Sequence, residues 1–542
     1  SSALGAAAAT SQSLVLPRMR GVATATFFLA TTLVGLALGP YLAGLVSSKA
    51  DGDLGLGMLS LLWIAPIGVV LLFFAFKLVP EAQERVLAMG RQAMGQFFQL
   101  QGDGDVGETI EMPDGEEPRR LDKPHQRTYR SIFGPFALAR YVYGTREGQR
   151  IEFVPLDARL ELPDGEYSYV LQDWAGTLCA EHAFGRTAET LETILGLSLP
   201  VDSLERLSRR MAESVADFRD SLKKPPVKEE SAILVATADG KGIPVRRPAD
   251  QRPVGARRKK GEKANKKQMA TLGCVYTVDP KPRSAEDVVE ALFREHSARG
   301  SNESVDPVAQ HKRVWSSLTY DEGDLHVDAE TEVFTWMTQE VDLRRRDDQP
   351  MVCLMDGQRS LWTSCATHLP DNMVEILDLL HVTSYLWDAA YLFHSEGSNE
   401  ATAFVRDRTL RILRGEVGYV IGGLRQMATK RNLSAAKRKK LTQICNYLHR
   451  NRDRMRYNEY LAAGFPIASG VIEGACRHVV KDRMERAGMR WTIDGAQAML
   501  DLRSTSINGQ WSAFQTRRIK TETGRLHPYR HIIHQLTWQL AV

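Results

Sequence analysis

Two short apolar runs that each end in an aspartate decide the fold class of this chain: Ile233-Leu-Val-Ala-Thr-Ala-Asp239 and Met351-Val-Cys-Leu-Met-Asp356. Each run predicts a buried strand, and the point where such a strand emerges is the usual place for site residues in an open α/β sheet. One aspartate in this setting is more often a turn or capping residue. A third acidic residue, Glu473, lies in Ser469-Gly-Val-Ile-Glu-Gly-Ala-Cys-Arg477, which predicts the start of a helix through Met484.

The order of the predicted elements indicates that the two aspartates lie close together in the folded protein. After Asp239, strands are predicted at 269–278 and 314–319, then a helix at 330–343, and after Asp356 a further strand at 374–381. Three strands with short links, followed by alternating helix and strand, describe an α/β ribonuclease H-like core. In that fold the first and fourth strands are adjacent, so we expect the two aspartates to lie together, with Glu473 arriving on a helix after a long insertion.

Three clustered carboxylates repel one another unless cations neutralise them. Hard oxygen ligands favour Mg²⁺ or Mn²⁺, and two such ions about 4 Å apart suit in-line attack on a phosphodiester. We therefore expect Asp239, Asp356 and Glu473 to be catalytic residues and ligands of two divalent cations. The chain has no Walker loop, so no ATP requirement is expected.

Several phrases of the sequence closely resemble, in the same order, the ISKra family of bacterial insertion-sequence transposases over about residues 120–540. These phrases are Ala238-Asp-Gly-Lys-Gly-Ile-Pro244, Met269-Ala-Thr-Leu-Gly-Cys-Val-Tyr276, Met355-Asp-Gly-Gln358 and Gly470-Val-Ile-Glu-Gly-Ala-Cys-Arg-His478. The resemblance implies a DDE transposase, with Asp239, Asp356 and Glu473 as its metal-binding triad. It also implies a supporting role for Asp378 and His381, because Asp378-Leu-Leu-His381 is similar to the Asp/Cys-x-x-His signature of related transposases. A structural histidine at a strand end is the alternative for His381.

The placement of positive charge agrees with a DNA substrate. Residues 245–267 contain ten basic and two acidic residues, and residues 425–456 contain eleven basic and one acidic. These two stretches, rather than the formal charge of +4 on the whole chain, form the expected electrostatic footprint on DNA. The basic side chains singled out for phosphate contact are Arg257, Arg258, Lys259, Lys260, Lys437, Arg438, Lys439 and Lys440.

Further DNA contacts are expected outside these stretches. A helix–turn–helix outline runs through 187–218, and its second helix carries Arg206, Arg209 and Arg210 beside an apolar stripe. An ordinary helical hairpin with a solvated basic face is the alternative. On the Glu473 helix, Arg477 and Lys481 share the face of that glutamate and are expected to hold phosphates near the metals. Trp491 is a candidate for stacking on an unpaired base, with core packing as its alternative.

The composition fits a large globular protein. Hydrophobic residues make up 43% and charged residues 25% of 542 residues, which excludes a disordered or fibrous chain and a transporter of a dozen spans. The six cysteines include no CxxC pair, which indicates a reducing cytosol. We expect a cytoplasmic, nucleoid-associated protein that acts as a homodimer or larger assembly, because transposon ends come in pairs.

The first hundred residues differ from the rest. Residues 21–48 and 54–76 contain no charged residue, and each stretch is long enough to cross a bilayer, so they predict a hairpin that could insert in the inner membrane. Leu16-Pro-Arg-Met-Arg-Gly21 and Gly35-Leu-Ala-Leu-Gly-Pro40 resemble the last two helices of a major facilitator superfamily transporter. We interpret this segment as a transporter fragment joined in frame to a second gene.

The predicted organisation has seven parts: a transmembrane hairpin (1–100), an acidic linker (101–120), a small β segment (121–168), a helical DNA-binding segment (169–230), the first part of the ribonuclease H-like core (231–383), a helical insertion (384–465), and the catalytic and C-terminal helices (466–542). Two other functions remain open from the sequence. One is a catalytically inactive DNA-binding protein that represses its own element, and the other is a membrane-tethered DNA-binding regulator.

Overall fold

The computed structural model describes residues 84–144, 151–246, 267–294, 307–322, 325–486 and 488–535. The chain divides into two compact units, Ser1–Phe98 and Gln99–Val542. The predicted membrane-crossing stretches lie outside the described residues, and in the first unit only residues 84–98 are described, as a helix. No helix in the described part of the chain is both long and apolar enough to cross a membrane.

The second unit begins with a small β layer. Its elements are β1 (Arg119–Arg120), β2 (His125–Ser131), β3 (Gly134–Arg140), β4 (Tyr143–Gly144), β5 (Ile151–Phe153) and α1 (Pro155–Arg159). The prediction of a solvated linker at 101–120 is wrong. Ile110 and Met112 are 1% and 5% exposed and pack with Tyr143 and Phe153, because these two apolar side chains among the acidic residues have a hydrophobic cluster to join.

A helical segment follows, with α2 (Tyr169–Glu181), α3 (Phe184–Leu195), α4 (Val201–Ala212) and α5 (Val215–Asp220). Helix α3 ends at Gly196, whose positive φ of 65° suits glycine. The second helix of the predicted helix–turn–helix outline is two helices, broken at residues 213–214. Its apolar stripe still faces inward, since Leu204, Met211 and Phe218 are buried.

The centre of the unit is a five-stranded mixed sheet. In chain order its elements are β6 (Ile233–Pro244), β7 (Lys267–Val278), α6 (Ala285–Phe293), β8 (Gln310–Leu318), the short pair β9 (Tyr320–Glu322) and β10 (Leu325–Val327), α7 (Ala329–Arg344), β11 (Met351–Met355), α8 (Arg359–His368) and β12 (Val374–Leu377). The sheet order is β12-β11-β6-β7-β8. Strands β6, β7 and β8 are antiparallel, whereas β11 and β12 run parallel to β6 on its other side. The first and fourth long strands are therefore neighbours, as the sequence predicted.

Both faces of the sheet are covered, and alternation along the strands decides which residues go where. Leu234 and Ala236 point to the face packed by α7 and α8, while Ile233 and Val235 point to the opposite face. Helices of the insertion and of the C-terminal segment cover that opposite face. They are α9 (Leu379–Phe393), α10 (Asn399–Leu413), α11 (Val417–Lys430), α12 (Ala435–Arg450), α13 (Tyr457–Ala462), α14 (Gly470–Cys476), α15 (Asp482–Met484) and α16 (Ile493–Ile507). The last helix, α17 (Trp511–Leu526), packs instead against α5 and α16.

Two predicted element boundaries are wrong in ways that matter for the site. Asp239 does not end its strand, because β6 stays paired with β7 as far as Pro244. Only the pairing with β11 stops earlier, at Ala236 opposite Cys353. His381 is not at a strand end either, since it lies in the first turn of α9.

Candidate active site

Three aspartates lie in a row across one edge of the sheet. Continuing the β6–β11 register by three residues from Ala236 and Cys353 brings Asp239 opposite Asp356. In the same way, Met355 pairs with Leu377 on β12, so the next residues, Asp356 and Asp378, follow side by side. Strand alternation directs Asp239 and Asp356 to the sheet face that α9 and α14 cover.

Asp378 is fully buried, and its carboxylate accepts three hydrogen bonds. One oxygen accepts the His381 backbone N–H at 3.0 Å, which caps the start of α9, and the imidazole Nδ1 of His381 at 2.6 Å. The other oxygen accepts the backbone N–H of Ser469 at 2.7 Å. Asp378 therefore joins the end of β12, the first turn of α9 and the residue that precedes α14.

Helix α14 brings Glu473 to this edge of the sheet. Glu473 is exposed, and the Ser469 hydroxyl donates to its carboxylate at 3.4 Å. One ligand atom from each of Asp378, His381 and Glu473 lies within 4.8 Å of the other two. Sequence reasoning had assigned Asp378 and His381 only a supporting role.

A cysteine that sequence reasoning missed links this helix to the first aspartate. The Cys476 thiol lies 3.4 Å from the Asp239 carboxylate and donates to it. Cys476 follows Glu473 by three residues on α14, and that spacing on one helical face was the signal that could have identified it. Through Cys476, the helix that carries Glu473 is in contact with β6.

The charges of these groups are coupled. Burial raises the pKa of the Asp356 carboxyl, and the carboxylates of Asp239 and Asp378 act in the same direction. The hydrogen bond to Asp378 raises the pKa of His381 to about 9, so its ring is cationic at neutral pH. Burial tends to raise the pKa of Asp378, but the hydrogen bonds from His381 and Ser469 leave it below its usual value. One cation therefore already faces the carboxylate row.

The loop after β11 holds Asp356 in place. The Asp356 carboxylate accepts the Gln358 backbone N–H at 2.9 Å, and its carbonyl accepts the Trp362 indole N–H at 2.6 Å. Between them, Gly357 leaves no room for a side chain, because a Cβ there would lie 2.2 Å from the Tyr447 ring. The glycine of the Asp-Gly pair is thus required by close packing against the insertion.

The donor set suits a hard divalent cation. Asp239 and Asp356 offer carboxylate oxygens from two neighbouring strands, and Glu473 offers one from a helix, which are ligands that Mg²⁺ or Mn²⁺ accepts. Among the described residues, however, the group whose ligand atoms lie within 4.8 Å of one another is Asp378, His381 and Glu473, and not the predicted triad.

The predicted DNA-contacting residues are distributed as follows. Arg206, Arg209 and Arg210 are exposed on α4, and Arg210 lies 3.6 Å from the Asp164 carboxylate. Arg477 and Lys481 are exposed beyond Glu473, where the helix widens into a π-helical turn over Arg477–Lys481. The residues of the first basic cluster, Arg257, Arg258, Lys259 and Lys260, lie outside the described residues.

The second basic cluster is on the first turns of α12. Lys437, Arg438, Lys439 and Lys440 are all exposed there. Two of these side chains contact α9. Lys437 donates to the Leu392 carbonyl at 3.1 Å, and the Lys440 ammonium lies 3.1 Å from the Asp388 carboxylate.

The prediction that Trp491 stacks on an unpaired base is wrong. Its side chain is 7% exposed, and its indole N–H donates to the Met484 carbonyl at 3.0 Å. It packs edge-on against Phe184, with the Arg483 guanidinium 5.0 Å from its ring centre. The core-packing alternative describes this residue.

Comparison with known proteins gave several structural likenesses, of which one is to a transposase complex. The chain is similar to the Drosophila P element transposase strand transfer complex, with 10% sequence identity and a TM-score of 0.21. The likeness covers 72% of this chain and 87% of that one. No protein-family description matches the sequence, and no curated protein matches it.

Proposed function

We propose that this protein is a DDE-type DNA transposase of the ISKra kind. The observation that carries the proposal is that Asp239, Asp356 and Asp378 follow one another across three neighbouring strands, and that the helix carrying Glu473 contacts the first of these strands through the hydrogen bond from Cys476 to Asp239. A further support is the strand order, with three antiparallel strands and two parallel strands added beside the first, which is the order of a ribonuclease H-like core.

The proposed reaction is metal-dependent cleavage and strand transfer. Asp239, Asp356 and Glu473 would hold two Mg²⁺ or Mn²⁺ ions, which supply a nucleophile at neutral pH and balance the charge of the attacked phosphate. Water attacks the phosphodiester at the transposon end, an O–P bond forms, and the P–O3′ bond breaks to leave a 3′ hydroxyl. That hydroxyl then attacks a phosphodiester of the target DNA in the same site. A bond forms between the transposon 3′ oxygen and the target phosphorus, and the P–O3′ bond of the target strand breaks.

The surrounding residues have distinct roles in this proposal. Asp378 positions His381, whose cationic ring is 40% exposed and can donate to a phosphate oxygen of the scissile strand. Arg477 and Lys481 extend the positive charge beyond Glu473 along the bound strand. Exposed cations on α4 and α12 bind DNA farther away through phosphate contacts, which makes affinity fall with salt. Two transposon ends require two such sites, so we propose a homodimer or larger assembly.

The test is cleavage of a labelled duplex that covers the ends of the element, with the full chain and with a chain that begins at Gln99. Asp239→Asn, Asp356→Asn and Glu473→Gln should each abolish nicking in Mg²⁺ while DNA binding persists. The matched control is Asp371→Asn, an exposed aspartate just before β12, which should cleave normally. Binding without nicking by the unaltered chain would indicate the inactive repressor instead.

A metal-specificity experiment tests the ligand role separately. Asp356→Cys places a softer thiolate ligand at the same position, which Mn²⁺ accepts better than Mg²⁺. We expect this variant to be inactive in Mg²⁺ and to regain part of its nicking activity in Mn²⁺. Loss of activity in both ions, together with normal folding and DNA binding, would contradict direct ligation by Asp356. If only the full chain, and not the chain from Gln99, were active, the membrane-tethered alternative would gain support.

A further inference from the structure

A cavity of about 370 Å³ lies away from the carboxylate row. Its walls come from the start of α3, the middle of α4, Arg246 just beyond the end of β6, and the segment between α15 and α16. A volume of this size is within the range of small-ligand pockets. The active-site residues Asp239, Asp356 and Glu473 do not line it.

The cavity is strongly cationic. Four arginines line it, Arg209, Arg246, Arg483 and Arg490, against one acidic residue, Glu205. Among the residues that the structure describes, no carboxylate pairs with the guanidinium of Arg209 or of Arg246. Excess positive charge in a concave site attracts anions more strongly than the same charge on a flat surface.

Arg483 is the most unusual of these residues because it is only 1% exposed. Its Nε donates to the Cys179 carbonyl at 2.8 Å, but its Nη2 is buried and has no hydrogen-bond partner in the described structure. Burial lowers the pKa of Arg483 to about 10, and the neighbouring arginines Arg486 and Arg503 act in the same direction. A buried guanidinium N–H group that lacks an acceptor is costly, and an anion bound at Nη2 would offset that cost.

The start of α3 adds oriented N–H groups to the same wall. Its N-cap residue is Ala183, so no side chain caps the first turn of this 12-residue helix. Ala183, Phe184 and Gly185 all line the cavity. Uncapped N–H groups at a helix N-terminus favour phosphate and other anions.

We propose that this arginine-rich cavity binds a phosphate group of a DNA strand that passes through the active site. The proposal rests on the proposed function for the identity of the strand, while the anion preference follows from the cavity alone. Arg483 follows Glu473 by ten residues along a nearly continuous helix, which corresponds to about 15 Å. At about 3.4 Å of axial rise per nucleotide, the bound phosphate lies roughly four nucleotides from the cleaved bond.

Gly185 offers a sharp test, because a side chain added there meets no atom within 4 Å. Gly185→Glu places a carboxylate at the cavity wall, and an acidic residue in the first helical turn does not impair folding. Gly185→Gln has the same size without the charge and serves as the matched control. Both variants are made in the full chain, and a melting temperature at or above that of the unaltered chain verifies folding.

Two titrations measure the effect. DNA binding is followed by fluorescence anisotropy of a labelled duplex at several salt concentrations, and inorganic phosphate binding by calorimetry. We expect Gly185→Glu to weaken DNA binding about tenfold relative to Gly185→Gln, and to reduce the slope of log K against log salt by about 1. Arg209→Ala should lower the slope similarly, whereas Arg186→Ala, an exposed arginine of α3 paired with Glu189, should not.

Equal DNA affinity and equal salt slopes for the Glu and Gln variants would overturn the proposal. It would also be overturned if the Glu variant lost inorganic phosphate but bound DNA like the Gln variant, since the cavity would then be a site for a free anion. A third outcome separates the two proposals. If Gly185→Glu binds DNA more weakly than Gly185→Gln but the unaltered chain cleaves no DNA, phosphate binding by the cavity is supported and the transposase function is refuted.

Discussion

Asp378→Asn is the most informative single substitution at this site. The change preserves shape and, at a helix N-cap, asparagine serves as well as aspartate. In this buried position, however, both carboxylate oxygens accept hydrogen bonds, one from His381 and the other from the Ser469 N–H. The asparagine amide has only one oxygen. In either orientation of the amide, its NH₂ group therefore faces an N–H donor of His381 or of Ser469, with which it cannot form a hydrogen bond.

The magnitude follows from those contacts. If the amide oxygen keeps the cap of α9, the Ser469 N–H loses its acceptor in a site that is 3% exposed. A buried donor left unpaired costs about 1–3 kcal/mol, and a hydrogen bond to a charged group contributes about 1.5–3 kcal/mol. We expect a loss of about 3 kcal/mol, which for a unit of this size lowers the melting temperature by roughly 3 °C.

The control is Asp328→Asn, because Asp328 also caps a helix, α7, but is exposed, and its carboxylate accepts hydrogen bonds from Thr331 alone among the described residues. Its melting temperature should change by less than about 1 °C. Amide hydrogen exchange then locates the effect. Exchange should become faster in peptides that cover Ser469–Cys476 in Asp378→Asn and remain unchanged in Asp328→Asn. Unchanged exchange and an unchanged melting temperature in Asp378→Asn would refute the central role given to this carboxylate.

Two other predictions concern the same edge of the sheet. Gly357→Ala should destabilise the protein by about 1–3 kcal/mol and impair cleavage, because its Cβ would overlap Tyr447, whereas Gly474→Ala, with open space around it, should be neutral or stabilising. Thermal unfolding and nicking of both variants check this, and equal effects would contradict it. In the metal-free protein, the raised pKa of His381 predicts a stabilisation that is complete below about pH 6.5 and is lost as the pH rises through about 9. Unfolding between pH 6 and 10 measures it, and this pH dependence should disappear in His381→Gln.

Strands β6 and β11 could be predicted from the sequence because Ile233–Ala238 and Met351–Met355 are nearly continuous apolar runs. The end of β6 could not, since Gly240-Lys-Gly242 has no strand preference and stays extended only because β7 pairs with it. The linker was misjudged for a similar reason. Seven acidic residues dominated its composition, while Ile110 and Met112 found partners that are distant in sequence.

For the candidate site, the sequence predicts which residues carry the chemistry but not what holds them. The roles of Asp239, Asp356 and Glu473 are predictions from their local setting and from the resemblance. The hydrogen bond from Ser469 to Asp378 spans 91 residues and leaves no local pattern. The role predicted for Trp491 is wrong because the sequence of an arginine–tryptophan pair in a loop does not show whether the tryptophan is exposed or buried.

The position of the insertion gives the Asp378 carboxylate a second role besides stabilising the fold, which is to couple the insertion to Glu473. The chain leaves the sheet immediately after Asp378 and comes back beside it at Ser469, the residue before α14. The Leu379 N–H donates to the Ile467 carbonyl at 2.9 Å where these two points of the chain meet. Both ends of the insertion are therefore tied to one carboxylate, and Ser469 in turn donates to Glu473. A displacement of the insertion relative to the sheet must strain these bonds. In a transposase, DNA bound on α12 would thus act on the placement of Glu473 through Asp378, and Asp378→Asn should weaken the dependence of cleavage on DNA length more than it weakens DNA binding.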